Sequence, residues 1–214
     1  MEASVIDVLF RSRKTLLNIL DEKGYDISPY EKFGPWDIES MIINDKKNNL
    51  KMELQHKTSD TKCVVVYRLN RLKQSITKFM SGLNDPESED YITNIESSVI
   101  IVILLEPVTT VDVFHSAALN ALNQFIYISF FQADSLVNDP RKHILVPKHE
   151  LVDKASLPAL KKQLNIQSIA NLPFIRFHQD IQTRLLGAIP GDVIKITRPS
   201  PSSGIENVYR VCVP

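Results

Sequence analysis

Leu186-Gly-Ala-Ile-Pro-Gly-Asp-Val-Ile-Lys-Ile-Thr-Arg198 reads as a helix end, a turn and a strand in quick succession. Asp180–Leu186 is a predicted helix, and Gly187 ends it. Pro190-Gly191-Asp192 is a predicted turn, where Gly191 permits the tight backbone and Asp192 bonds it. Val193–Arg198 is a predicted strand whose Val193, Ile194 and Ile196 supply core. A second strand, Val208–Val213, follows a predicted loop over Pro199–Asn207. Upstream, Ile144-Leu-Val-Pro-Lys-His149 opens the unit, and Leu157–Leu164 is a predicted helix capped by Ser156. Together these make a small α+β module of about 70 residues, near the lower limit for a self-sufficient core.

The chain before this module reads differently. Val5, Val8, Leu9, Leu16, Leu17 and Leu20 recur at helical spacing, which predicts an amphipathic helix over 3–23, stopped by Gly24. Residues 35–42 form a short predicted helix with Pro35 in its first turn. Predicted strands cover 52–56, 62–69, 98–105 and 125–131, and further predicted helices cover 72–83 and 116–124. The run Val99–Leu105 is continuously apolar, as in a strand buried on both faces. Strands alternating with helices predict an α/β layer structure.

Charge divides the chain in the same place. Residues 1–142 hold 16 Lys/Arg and 20 Asp/Glu, a net of −4, whereas residues 143–214 hold 9 and 5, a net of +4. The polar stretch Asn138-Asp-Pro-Arg-Lys-His143 carries a proline that interrupts regular structure. Two domains are therefore expected, 1–142 and 143–214.

The whole chain of 214 residues balances 25 Lys/Arg against 25 Asp/Glu, which argues against a protein held to nucleic acid by charge alone. Its 43% hydrophobic and 23% charged content is that of an ordinary globular domain. The apolar run 99–105 falls far short of the roughly 20 residues that cross a bilayer, so no membrane partner is expected. The acidic start of the chain lacks the basic region of a signal peptide. Cys63 and Cys212 are expected as reduced thiols inside the cell.

Chemistry-bearing patterns are sparse. His56 with Cys63, and His143 with His149, match no zinc spacing, so no metal site is expected. Six glycines form neither G-x-G-x-x-G nor a Walker loop, and no nucleophile elbow is present. A metal-dependent nuclease needs acids followed by lysine on a buried strand. Asp21-Glu-Lys23 falls at a helix end, and Glu53 is followed by Gln55 where lysine is wanted. No catalytic residue and no cofactor are expected.

The C-terminal stretch does carry a specific pattern. Leu145-Val-Pro-Lys-His149, Leu172-Pro173, Leu186-Gly187, Gly191-Asp-Val193 and the run Ile196, Arg198, Ser200, Ser202, Gly204, Tyr209, Arg210 stand in fixed order. This resembles the assembly domain of the fifth common subunit of eukaryotic RNA polymerases I, II and III. It equally resembles the small archaeal polymerase component that consists of that domain alone. It departs from that family where Asp180 is followed by Ile181 rather than proline. Residues 1–142 are more weakly similar to the family's jaw domain, whose nuclease-like α/β fold is inactive.

The resemblance implies a non-catalytic shared subunit of a multisubunit DNA-directed RNA polymerase. Its C-terminal domain would dock on the largest subunit, and its jaw would line the downstream DNA cleft and touch transcription regulators. Interface residues implied in this way are Pro147, Lys148, His149, Gly191, Asp192, Arg198, Tyr209 and Arg210. Thr109 and Thr110, in the loop 106–112, are placed to face duplex DNA. Arg198 and Arg210 are each expected to be exposed or paired, because a buried unpaired guanidinium is very costly. The partner is either another polymerase subunit or an internal acid, Asp192 or Glu206. The localisation implied is the nucleus for a cellular polymerase. For a polymerase of a large DNA virus it is a cytoplasmic virus factory or virion. The alternatives are a stand-alone adaptor for transcription factors and an α/β nuclease.

Overall fold

The computed structural model describes residues 3–43, 50–88, 90–108, 113–202 and 204–214. The chain separates into two compact units, Met1–Asp139 and Pro140–Pro214.

The first unit is α/β. Its elements in chain order are α1 (Ala3–Glu22), α2 (Pro35–Ile43), β1 (Met52–Gln55), β2 (Lys62–Arg68), α3 (Ile76–Gly82), β3 (Ser98–Leu104), α4 (Val113–Leu122) and β4 (Tyr127–Gln132). The strands pair in the order β1-β2-β3-β4, with β1 antiparallel to β2 and the others parallel. The apolar run predicted to be a doubly covered strand is β3, inside the sheet and buried along nearly its whole length. Leu9, Leu16, Leu17, Ile19 and Leu20 are the buried face of α1.

Gly24 stops α1 with φ of 91°, and a Cβ there would meet His56 Nε2 at 2.9 Å. Two requirements therefore fall on this glycine, left-handed backbone and empty space.

Three predicted elements in this unit shift, and the helix expected over 116–124 is Val113–Leu122. The helix expected from 72 starts at Ile76, because the N–H groups of Leu72 and Lys73 donate to Glu106 Oε1 (2.6 and 3.0 Å). The strand expected from 125 starts at Tyr127. Phe125 has φ of 60°, and Ile126 N–H donates to Ala121 C=O, which closes α4 in the manner of a left-handed helix cap. Phe125 occupies the place where glycine usually stands.

The second unit is α+β. It holds β5 (Lys148–Leu151), α5 (Leu157–Gln163), β6 (Phe174–Arg176), α6 (Ile181–Leu186), β7 (Val193–Ser200) and β8 (Gly204–Val213). Its sheet runs β5-β7-β8-β6, antiparallel except for β6 with β8. Leu160, Leu172, Val193 and Val211 form a core, with Tyr209 and Val213 packed against it.

The predicted loop 199–207 is instead the tip of a long hairpin. Pro199 faces Ile205 and Ser200 faces Gly204. Proline is tolerated there because β5 pairs with β7 only as far as Thr197, leaving that side of the ribbon free. Ser156 stands at the cap position of α5 as expected, but its side chain makes no cap bond there. Asp153 accepts from Ala155 N–H, and the Ser156 hydroxyl donates to Asp153 C=O (2.7 Å). Asp180 does cap α6, accepting from Gln182 N–H at 2.7 Å, so Ile181 serves at the helix start without proline.

Candidate functional site

The residues singled out in the C-terminal unit fall at four places along one sheet. At its β5 edge, His149 is half-buried, and its Nδ1–H donates to Pro147 C=O at 2.7 Å. Lys148 pairs with Glu150 at 2.6 Å. The imidazole thus braces the entry into β5, opposite Ile196 of β7.

The second place is the turn into β7. Gly191 has φ of 97°, and nothing lies within 4 Å of a Cβ added there, so its need is conformational alone. Asp192 Oδ2 accepts from Ile189 N–H (3.0 Å), and Lys154 approaches Oδ1 at 3.8 Å. Gly191 N–H donates to Cys212 C=O, and Cys212 N–H to Asp192 C=O, tying the turn to β8.

At the hairpin, Arg198 stands directly opposite Glu206. Its Nε and an Nη donate to Glu206 Oε2 at 3.0 and 2.9 Å. Both side chains are about half exposed, so this pair adds less than about 1 kcal/mol.

At the far edge, Arg210 donates to Phe174 C=O at 2.8 Å. Each arginine is therefore satisfied inside its own unit. Tyr209 is half-buried against the core. This arrangement braces backbone and presents polar surface. It gathers no nucleophile with a base.

Two arginines outside the set singled out from sequence lose solvent around the guanidinium, Arg184 half-buried and Arg13 buried. Arg184, on α6, has its pKa pushed down to about 10 by burial, while Asp180 opposes the shift. It remains a cation at neutral pH. Arg13 is 3% exposed and donates to Leu50 C=O at 2.9 Å. The rings of Tyr30, Phe33 and Tyr67 stand 5.7–5.8 Å from its guanidinium carbon. Burial lowers the Arg13 pKa and pushes Tyr67 up to about 12. Both arginines belong to helices, and Arg13 lies between Leu9 and Leu17 on the inward stripe. That inward placement is the signal a periodicity reading could have used.

In the first unit, Asp21 pairs with Lys57 at 2.7 Å, and Glu53 pairs with Lys51 at 2.9 Å. Among the described residues, no group of three His, Cys, Asp or Glu side chains is placed to hold a metal ion. Cys63 and Cys212 are buried, and desolvation pushes both thiols up to about 12, far from a reactive thiolate. Thr109 and Thr110 lie outside the described residues.

Comparison with known proteins bears on both units. The family model of the RNA polymerase Rpb5 C-terminal domain matches residues 139–212. The chain is 29% identical over 211 residues to the DNA-directed RNA polymerases I, II, and III subunit rpabc1 of Dictyostelium discoideum, covering 97% of this chain and 98% of that one. It is 45% identical over 75 residues to the DNA-directed RNA polymerase subunit Rpo5 of Sulfurisphaera tokodaii, covering 35% of this chain and 87% of that protein. The Rpo5 subunit of Methanocaldococcus jannaschii is 41% identical over 71 residues, covering 33% of this chain and 88% of the relative.

Proposed function

Because the chain belongs to the Rpb5/Rpo5 family of RNA polymerase subunits, we propose that its C-terminal unit docks on the largest polymerase subunit and its N-terminal unit serves as a jaw beside downstream DNA. The chain is a non-catalytic component of a multisubunit DNA-directed RNA polymerase. Other subunits of that enzyme are its partners.

One observation carries the docking half. Archaeal subunits of the family are matched along 87–88% of their own length by the C-terminal unit alone. Proteins of little more than this unit's length are themselves named polymerase subunits, which supports the reading that this unit holds what binding to the enzyme requires. The exposed and half-exposed Lys148, His149, Asp192, Arg198, Tyr209 and Arg210 are the docking residues in this reading. Their internal bonds set the backbone that a partner would read. The full-length likeness to a eukaryotic subunit supports a nuclear place of work. A virus factory or virion is the alternative for a virally encoded enzyme.

The test is co-purification. The tagged chain should recover the two largest polymerase subunits in stoichiometric amount, and so should a chain lacking 1–139. A free adaptor for transcription factors would recover them weakly or not at all.

A further inference from the structure

The sheet of the second unit has two outer strands, yet neither runs its full length. The inner hairpin, β7 with β8, extends past both. On one side β5 pairs with β7 only as far as Thr197. On the other side β6 pairs with β8 only from Val211 to Val213. The end of the hairpin is therefore a two-stranded ribbon with two free edges.

These edges are not alike. Pro199 lies on the free part of β7 and has no N–H to offer a further strand. The outer strands are guarded as well, since β5 is four residues long and carries the Lys148–Glu150 pair, and β6 is only three residues long. Short, charged or proline-bearing edges discourage added pairing. Segment 205–209 of β8, Ile-Glu-Asn-Val-Tyr, has neither proline nor lysine.

The register tells which backbone groups face outward there. Val211 N–H donates to Pro173 C=O, toward β6. Backbone direction repeats at every second residue of a strand, so the N–H and C=O groups of Tyr209, Asn207 and Ile205 point to that same side. Strand β6 does not continue alongside them, because Pro173 has no N–H to extend the ladder. Among the described residues, these outward groups have no hydrogen-bond partner on that side. Ile205 is 69% exposed, Asn207 is exposed and Tyr209 is half-buried. Unpaired donors and acceptors along extended backbone match another extended backbone.

We propose that segment 205–209 receives an extended segment of another polymerase subunit, which fills the place beside β8 that β6 leaves open and lays an apolar residue over Ile205. This rests on the reading of the C-terminal unit as the docking unit, and adds which backbone docks and in what form. Main-chain bonds supply affinity in such an arrangement, and alternate side chains choose the partner. Other polymerase subunits are already the partners of this chain. A second copy fits less well. It would offer only the same five residues, far short of the roughly 1,200 Å² that a stable interface buries, whereas a polymerase subunit would meet Arg198 and Arg210 as well.

The test compares amide hydrogen exchange in the free full-length chain and in polymerase assembled with it. The amides of Ile205, Asn207 and Tyr209 should exchange fast in the free chain and many-fold more slowly in the enzyme. Those of Glu206, Val208 and Arg210, bonded to β7, should be slow in both. Asn207→Pro removes an outward N–H and keeps every bond to β7, as proline at a sheet edge does. It should melt near wild type yet lose several-fold in recovery of polymerase subunits. Asn207→Ala, which removes only the side-chain bond from Thr197, should recover them as wild type does. If the chain enters the polymerase and the three outward amides still exchange as in the free chain, this inference fails and the docking reading stands. If a folded chain lacking 1–139 recovers no subunits, the docking reading itself fails. Protection that rises with concentration of the free chain would assign the edge to a second copy and overturn the proposal. So would an Asn207→Ala variant as weak as Asn207→Pro.

Discussion

The two units differ in where their identity is written. The C-terminal unit is matched at 41–45% identity by archaeal subunits, whereas the match that takes in the first unit, to the Dictyostelium discoideum subunit, is at 29%. The named C-terminal residues have individual backbone jobs. Asp180 caps, Gly187 ends a helix, Gly191 turns, Asp192 bonds the turn, and His149 braces Pro147. Few residue types can do each of these. The first unit is specified by apolar positions such as Val64, Ile100, Val102 and Phe130, where one hydrophobic residue of similar volume replaces another. A motif survives in the first kind of region and dissolves in the second.

Breaking the core of the first unit should have the largest effect. Phe130 is fully buried, with Phe114 at 5.1 Å between ring centroids. Phe130→Ala should cost about 3–5 kcal/mol, seen by thermal or urea unfolding. Co-purification with polymerase should persist if docking belongs to the second unit.

The two glycines sharpen the comparison. Gly24→Ala combines positive φ with contact at 2.9 Å to His56, whereas Gly191→Ala meets only the conformational strain of its positive φ. Denaturation should show about 1–2 kcal/mol for Gly191→Ala and a larger loss for Gly24→Ala. Equal losses would mean that His56 yields freely.

A smaller effect is expected at Asp180. Asp180→Ala removes the acceptor for Gln182 N–H and should destabilise the second unit by about 0.5–2 kcal/mol.

Alkaline pH loads both units through their buried acids, the first more heavily because it holds Cys63 and Tyr67 where the second holds Cys212. Cys63 and Tyr67, both in β2, favour their neutral forms, with pKa values raised to about 12. Their contribution is complete below the unfolded values, 9.0 for the thiol and 10.0 for the phenol, and is lost as pH rises toward 12. The first unit should therefore weaken on titration from pH 9 to 12. Cys63→Ser and Tyr67→Phe should reduce that dependence.

Element type and order are readable because period and punctuation agree in most elements. Gly24, Gly187 and the apolar β3 are plain in the sequence. Strands β5 and β6 escape such a reading because four and three residues show no period, and their extended form comes from pairing with β7 and β8. The start of α3 depends on Glu106, which is distant in sequence. The candidate site is legible as a set of names but not as a set of contacts. Arg198 meets Glu206 only because the hairpin register places them opposite, and reading Pro199–Asn207 as loop hides that register. Arg210 bonds a backbone carbonyl on β6, a strand with no sequence signal of its own.

The central claim is that the C-terminal unit attaches this subunit to the enzyme. The most direct measurement is quantitative recovery of the two largest polymerase subunits on the full chain, on a chain lacking 1–139, and on full chains carrying Arg198→Ala with Arg210→Ala. The account expects near-stoichiometric recovery on the first two and a clear loss on the third, with little change in its melting temperature. Full recovery on the double variant would remove these arginines from the docking surface. Loss of recovery on the chain lacking 1–139, while that chain remains folded, would contradict the claim itself.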